Sequence, residues 1–164
     1  MVKLSQYVSL EEAIKSQMAT RMGIRNEPSE VELAAMRYVA SSLFDPVRAF
    51  VGGALAVSSF FRCAALNNSI GGSATSQHCK GQAIDIDADV YGVKREGNHV
   101  LNPNRMIFNF IRDNLEFDQL IWEFGTTENP DWVHVSKTRG ANRGQVLRAY
   151  RENGKTHYVT FDLY

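Results

Sequence analysis

His78 and Asp85 stand seven residues apart in the stretch Ser76-Gln77-His78-Cys79-Lys80-Gly81-Gln82-Ala83-Ile84-Asp85. An imidazole nitrogen and a carboxylate oxygen are ligands that Zn²⁺ accepts at roughly 2.0–2.2 Å, and a hydrolytic zinc site takes three protein ligands and leaves one position for water. Residues 82–87 alternate in polarity and read as a short strand, with Ile84 and Ile86 on one face and Ala83, Asp85 and Asp87 on the other. His78 then falls in the loop that feeds this strand, and Gly81 permits a turn tight enough to bring the imidazole back over Asp85. The third ligand has one good candidate. Residues 131–136, Asp131-Trp132-Val133-His134-Val135-Ser136, read as a strand with Trp132, His134 and Ser136 on one face. His134 completes a His/Asp/His set. Asp131, three residues earlier, is expected to reach a metal-activated water as general base without ligating the metal.

The pattern Ser-x-His-x-x-Gly-x-Ala-x-Asp followed by a late Asp-x-x-His resembles the zinc D-Ala-D-Ala carboxypeptidases and phage endolysin L-alanyl-D-glutamate peptidases, a family that includes vancomycin-resistance dipeptidases and shares its fold with the hedgehog signalling domain. The resemblance spans about residues 10–137. It takes in Ser58-Ser59-Phe60-Phe61-Arg62, Leu66-Asn67, Gly71-Gly72 and Asp118-Gln119-Leu120-Ile121-Trp122-Glu123. Two positions depart from it: Phe60 stands where glycine is usual, and Asp131 where many members carry glutamate. What the resemblance implies is one zinc per chain on His78, Asp85 and His134, Asp131 as base, and Arg62 as the cation that steadies the carbonyl oxygen of the scissile bond. It also implies substrate contact at Ser76. Glu123 is read as a substrate-contacting residue or a partner of a zinc histidine. Residues 20–28 resemble a Thr-x-Arg-x-Gly-Ile-x-Asn-x-Pro stretch of phage-encoded members, which points to a phage or prophage origin.

Composition narrows the alternatives. A chain of 164 residues suits a single domain over 1–164 that holds a core without metal or disulfides. Lys plus Arg and Asp plus Glu are both 18, so no global field draws nucleic acid or an anionic membrane. The first residues carry no apolar run of leader length, and no stretch approaches the ~20 apolar residues of a membrane span. The expectation is a monomer that remains cytoplasmic as synthesised and reaches the cell wall after release. Cys63 and Cys79 are the two cysteines and read as reduced and partly buried.

The positioning elements follow in order. Ser9 and Glu12 form a capping box opening a helix to about Arg21, and Ser29 and Glu32 form another. The second helix is expected to turn Val31, Ala35, Tyr38, Val39 and Leu43 to one face, with Pro46 kinking it or opening a new helix at Asp45. Residues 55–60 alternate as a strand that ends at Arg62, and residues 64–69 read as a helical turn. Residues 89–102, including His99, read as loop, residues 103–115 as a helix with Met106, Ile107, Phe110 and Ile111 inward, and residues 119–124 as a strand. A polar run, residues 138–144, is expected to be mobile. Strands over 146–150 and 157–163 flank Asn153-Gly154, a strong hairpin signal.

These elements predict an α+β fold: a mainly antiparallel sheet, helices on one face, and the zinc cleft across the other. The expected activity is a zinc metallopeptidase acting on peptidoglycan stem peptides, as D-Ala-D-Ala carboxypeptidase or L-Ala-D-Glu endopeptidase. The alternative is a catalytically silent zinc fold serving as a cell-wall-binding or phage structural protein. Retention of Asp131 and Arg62, neither needed merely to hold a metal, favours the enzyme.

Overall fold

Alternation along residues 83–87, 119–123 and 132–136 builds a sheet with one apolar face: Ile84, Ile86, Leu120, Trp122, Val133 and Val135 are all fully buried. A computed structural model describes residues 1–161. It contains a six-stranded sheet in the order β1-β2-β6-β5-β7-β8, from β1 (Ala56–Ser59), β2 (Ala83–Asp87), β5 (Gln119–Glu123), β6 (Trp132–Ser136), β7 (Gln145–Glu152) and β8 (Lys155–Thr160). Every pair is antiparallel except β5 with β7. The chain turns from β7 to β8 at Asn153 and Gly154, both at positive φ, as a two-residue hairpin turn requires. The expected last strand reaches Thr160; residues 162–164 lie outside the described residues.

Helices cover the apolar face. α3 (Glu30–Val39) continues through a π-helical turn (Ala40–Phe44) into α4 (Asp45–Val51), and these contribute Met36, Val39, Leu43, Phe44, Val47 and Val51 to the core. As expected, a new helix opens at Asp45, with Pro46 in its first turn. Pro46 has no N–H to give to the previous turn, and the widened turn, with Asp45 N–H reaching Ala40 O, accommodates it. The buried stripe differs from expectation at its start. Val31 is 80% exposed, because the core side of α3 is set by Met36 and Val39 rather than by the first turn. α6 (Pro103–Asn114) turns in Ile107, Phe108 and Ile111, with Met106 and Phe110 partly buried beside them. Each such buried side chain contributes about 1.5–3 kcal/mol.

Three loop expectations change. The helix expected to Arg21 is two, α1 (Leu10–Ile14) and α2 (Gln17–Met22), because Lys15 is extended and Ser16 begins a new cap, accepting from Ala19 N–H. The segment read as loop between residues 89 and 102 holds a small hairpin, β3 (Lys94–Arg95) with β4 (Asn98–His99). The run expected to be mobile is anchored: Arg143 donates to Asp118, Arg139 stacks over Tyr38, and Asn142 bonds Thr138. The remaining helix, α5 (Ala64–Ser69), is as expected.

Gly81 joins the helical layer to the sheet. Its φ is +67°, and a Cβ there would sit 2.6 Å from Glu32 O, so both conformation and space demand glycine. Gly154 has positive φ but open space around it. Gly81→Ala should therefore cost several kcal/mol in chemical denaturation, and Gly154→Ala only about 1 kcal/mol. Equal losses would show that contact with α3 contributes nothing.

Candidate metal centre

Antiparallel pairing of β2 with β6 sets Asp85 directly opposite His134, so their side chains leave the sheet on the same face. That face is opposite the helices, since Ile84 and Ile86 point into the core. His78 arrives from a 3₁₀ turn (Gln77–Lys80) capped by Ser76, whose Oγ accepts from His78 N–H at 3.3 Å. Gly81 ends the turn in the left-handed conformation and returns the chain into β2. The three candidate ligand atoms of His78, Asp85 and His134 all lie within 4.8 Å of one another.

The hydrogen bonds around them suit a cation. His78 Nδ1 lies 2.6 Å from Phe60 O. A carbonyl only accepts, so Nδ1 carries the hydrogen and the neutral ring presents a lone pair at Nε2. Nε2 faces Asp85 Oδ1 at 3.3 Å, and His134 Nδ1 lies 2.9 Å from the same oxygen. A lone pair facing a carboxylate is repulsive unless a proton or metal ion lies between them. Burial pushes the Asp85 carboxyl up, but the charges and hydrogen bonds of His78 and His134 outweigh this and hold it well below the usual carboxylate range. The donor set, two imidazoles and an ionised carboxylate, fits a divalent metal.

Glu123 joins this face. It lies two residues beyond Ile121, the neighbour of His134 in the β5–β6 ladder, and is 7% exposed. Burial raises its carboxyl to about 7; His134 opposes this, Asp85 adds to it and Arg62 opposes it again. Arg62 follows β1, its N–H bonded to His78 O and its Nη2 3.3 Å from Ser76 Oγ. Its Nε is buried without a hydrogen-bond partner among the described residues. A cavity of about 460 Å³ opens beside Arg62, with Lys15, Ser59, Phe61, Leu66 and Ile70 in its walls.

Asp131, expected as the base, stands just before β6 and is not one of the ligand atoms that cluster within 4.8 Å. It is exposed, in the wall of a pocket shared with Phe124, Trp132 and Ala149. Asn104, on α6, donates to the Asp131 carbonyl at 3.1 Å, and the Asp131 charge acts on Asp89, helping to raise that carboxyl after burial and Asp87. Cys79 is free and points to no ligand role, and burial raises its thiol. His99 is exposed on β4, away from the set.

Three residues that position the site gave little warning in the sequence. Asn26 is buried; its Nδ2 donates to Ile14 O and Phe61 O, and its Oδ1 accepts from Cys63 N–H at 2.7 Å. It thereby clamps the backbone on both sides of Arg62. Asp118 accepts from Gln77 Nε2, beside His78, and from Arg143, whose hydrogen bond holds its carboxyl down at about 2. Asn104 ties β2's exit, through Ala88 N–H, to residues 130 and 131. The only hint was that Asn26 and Asp118 fall inside the stretches carrying the family resemblance.

The model of the peptidase M15 family matches residues 6–136, most of the chain. The chain belongs to the M15 peptidase family. M15 enzymes are zinc peptidases of the D-Ala-D-Ala carboxypeptidase kind, and the mostly antiparallel sheet and the His/Asp/His group agree with membership. No curated protein matches the chain. The matched span of this M15 peptidase holds all three candidate ligands, Arg62, Ser76, Glu123 and Asp131, and stops before β7 and β8. No helix among the described residues is long and apolar enough to cross a membrane.

Two measurements follow. Metal analysis of the purified protein should find the metal lost in His78→Ala and in His134→Ala and retained in Asp131→Ala; full occupancy in both histidine variants would refute the ligand set. In metal-free protein, Glu123 keeps its proton up to about pH 7 when folded but releases it near the ordinary 4.5 when unfolded. Between these values the folded state binds more protons, so stability should fall as pH rises, by up to about 1.4 kcal/mol per pH unit. Glu123→Gln should flatten that slope in denaturation curves taken from pH 4.5 to 7.

Proposed function

We propose that this M15 peptidase is a zinc-dependent hydrolase of peptide bonds in bacterial peptidoglycan stem peptides, with one zinc per chain on His78, Asp85 and His134. The observation that carries the reading is the convergence of these three ligand atoms within 4.8 Å, with Glu123 buried on the same face of the sheet. When bound, the zinc polarises the scissile carbonyl and acidifies a water molecule.

The chain's own groups supply the rest. Glu123, rather than Asp131, is assigned as the base: its carboxylate accepts the proton of the attacking water and returns it to the leaving amine. Its burial on the face of the sheet that carries Asp85 and His134 supports the choice. Arg62 donates to the oxyanion from the β1 side. Ser76 holds Arg62 at its Nη2 and caps the turn that carries His78, so its role is to position both. The cavity beside Arg62 offers apolar walls from Phe61, Leu66 and Ile70 to one flank of the substrate. Its size accepts a peptide residue, and both scissile bonds, L-Ala-D-Glu and D-Ala-D-Ala, remain within the proposal. The likeness of residues 20–28 to phage-encoded members supports a phage or prophage origin.

Digestion of purified cell-wall peptides followed by mass spectrometry of the new ends tests the activity and names the bond. Glu123→Gln should keep its zinc and lose about 10²–10⁴-fold in cleavage rate, whereas Asp131→Asn should cleave near the parent rate. The reverse pattern would restore Asp131 as base. Arg62→Ala should lose roughly 10²–10³-fold in turnover, with lysine restoring only part because it lacks the planar fork. A parent protein that cleaves no stem peptide would leave the silent binding fold.

A further inference from the structure

The β7–β8 hairpin lies outside the family-matched residues 6–136, yet it extends the same sheet beyond β5. Its register fixes what it adds. Glu123 pairs with Ala149, and Ala149 pairs with Tyr158. Paired residues share a face, so Glu123, Ala149 and Tyr158 form one row across three strands spaced about 4.8 Å apart. Ala149, the middle residue, has only a methyl group and is nonetheless fully buried, so larger neighbours close over it. Tyr158 is 55% exposed, the condition of a rim residue with one side against protein and the other open.

The electrostatics place its phenol. Burial raises the Tyr158 hydroxyl above its ordinary range, Glu123 and Asp85 raise it further, and Arg62 opposes them; no hydrogen bond contributes. This agrees with the register, which puts Tyr158 in one row with Ala149 and Glu123 on the face that carries the candidate site. The phenol also keeps its proton, and with no acceptor engaged among the described residues that proton is available to a ligand. On the other face of the hairpin, Tyr150 stacks on His157 and takes no part.

Resting on the peptidase reading above, we infer that Tyr158 is a substrate-contacting residue forming the β8 wall of the cleft, opposite Arg62 on the β1 side, where its hydroxyl donates a hydrogen bond to a carbonyl or carboxylate oxygen of the bound peptide. The two donors reach the peptide from opposite edges of the sheet, with Glu123 between them. Arg62 addresses the oxygen that becomes charged during reaction. Tyr158 holds an oxygen further along the chain, whose charge does not change. Its contribution is therefore to binding alone, and should appear in KM rather than kcat.

The test uses zinc-loaded protein and a synthetic stem pentapeptide. Tyr158→Phe keeps the ring and removes the hydroxyl; KM should rise roughly 5–10-fold, the scale of one hydrogen bond, with kcat within about twofold. Tyr158→Ala should weaken binding further, and Tyr150→Phe should match the parent. In the Glu123→Gln background, where cleavage is suppressed, calorimetric Kd for the same peptide should rise by the same factor on adding Tyr158→Phe. If the parent cleaves while Tyr158→Phe and Tyr158→Ala match it in KM and Kd, the inference fails and the peptidase reading stands. If Tyr158→Phe lowers kcat with KM unchanged, the assignment to binding alone is overturned. If the parent cleaves nothing and Glu123→Gln binds no peptide, the peptidase reading fails and takes this inference with it.

Discussion

A carboxylate buried at 7% exposure between two imidazoles is the constraint on which the rest of this structure depends. Removing a carboxylate from water costs several kcal/mol unless charge and hydrogen bonds replace the lost solvent. Around Asp85 the replacements are His78 and His134, and they come from unlike sources. His134 is delivered by strand register, its backbone paired with that of Asp85. His78 is delivered by a turn whose shape depends on Ser76 at one end and Gly81 at the other, and whose ring is aimed by Phe60 O. A metal ion would replace the protons that otherwise share this oxygen, which makes metal binding and the order of the site one problem.

The sheet then sorts the remaining acids by face. Asp131 and Glu123 are backbone neighbours, Asp131 N–H donating to Glu123 O at 2.9 Å, yet their side chains meet opposite environments. Asp131 is exposed beside the polar cluster of Asp89, Asn104 and Asn129. Glu123 is buried beside the candidate ligands, where loss of water, with the Asp85 charge adding to it, carries its pKa toward neutrality. The difference between these two acids, joined by a backbone hydrogen bond, is one of burial.

Positioning falls to polar residues that bond backbone groups far away in sequence. Asn26 reaches Phe61 and Cys63 on either side of Arg62, and Asp118 links the turn before His78 to Arg143 beyond β6. Such staples are buried and satisfied, so each removes a polar cost while fixing a loop that no helix or strand ladder would hold.

The sequence alone picked out the candidate ligand residues that the structure brings together and most of the strands, because His78, Gly81, Asp85 and His134 act through local turn chemistry and period-two alternation that are readable over a few residues. Two capping boxes and the Asn153-Gly154 turn were readable for the same reason. Tertiary structure decided the rest. That Glu123 is buried in the β5 row beside Ile121 while Asp131, just before β6, is exposed is decided by how the strands pair and pack. Val31 looked like core because its spacing puts it on one face with Ala35, Tyr38, Val39 and Leu43, but the buried face of α3 is set by Met36 and Val39. Lys15 interrupts a helix that its capping box had opened, since Ser16 offers the backbone a second cap. The partners of Asn26, Asn104 and Asp118, and the row that sets Tyr158 beside Glu123, belong to no local pattern: they exist only once strands distant in sequence have paired, because register across a ladder is a long-range property of the folded chain.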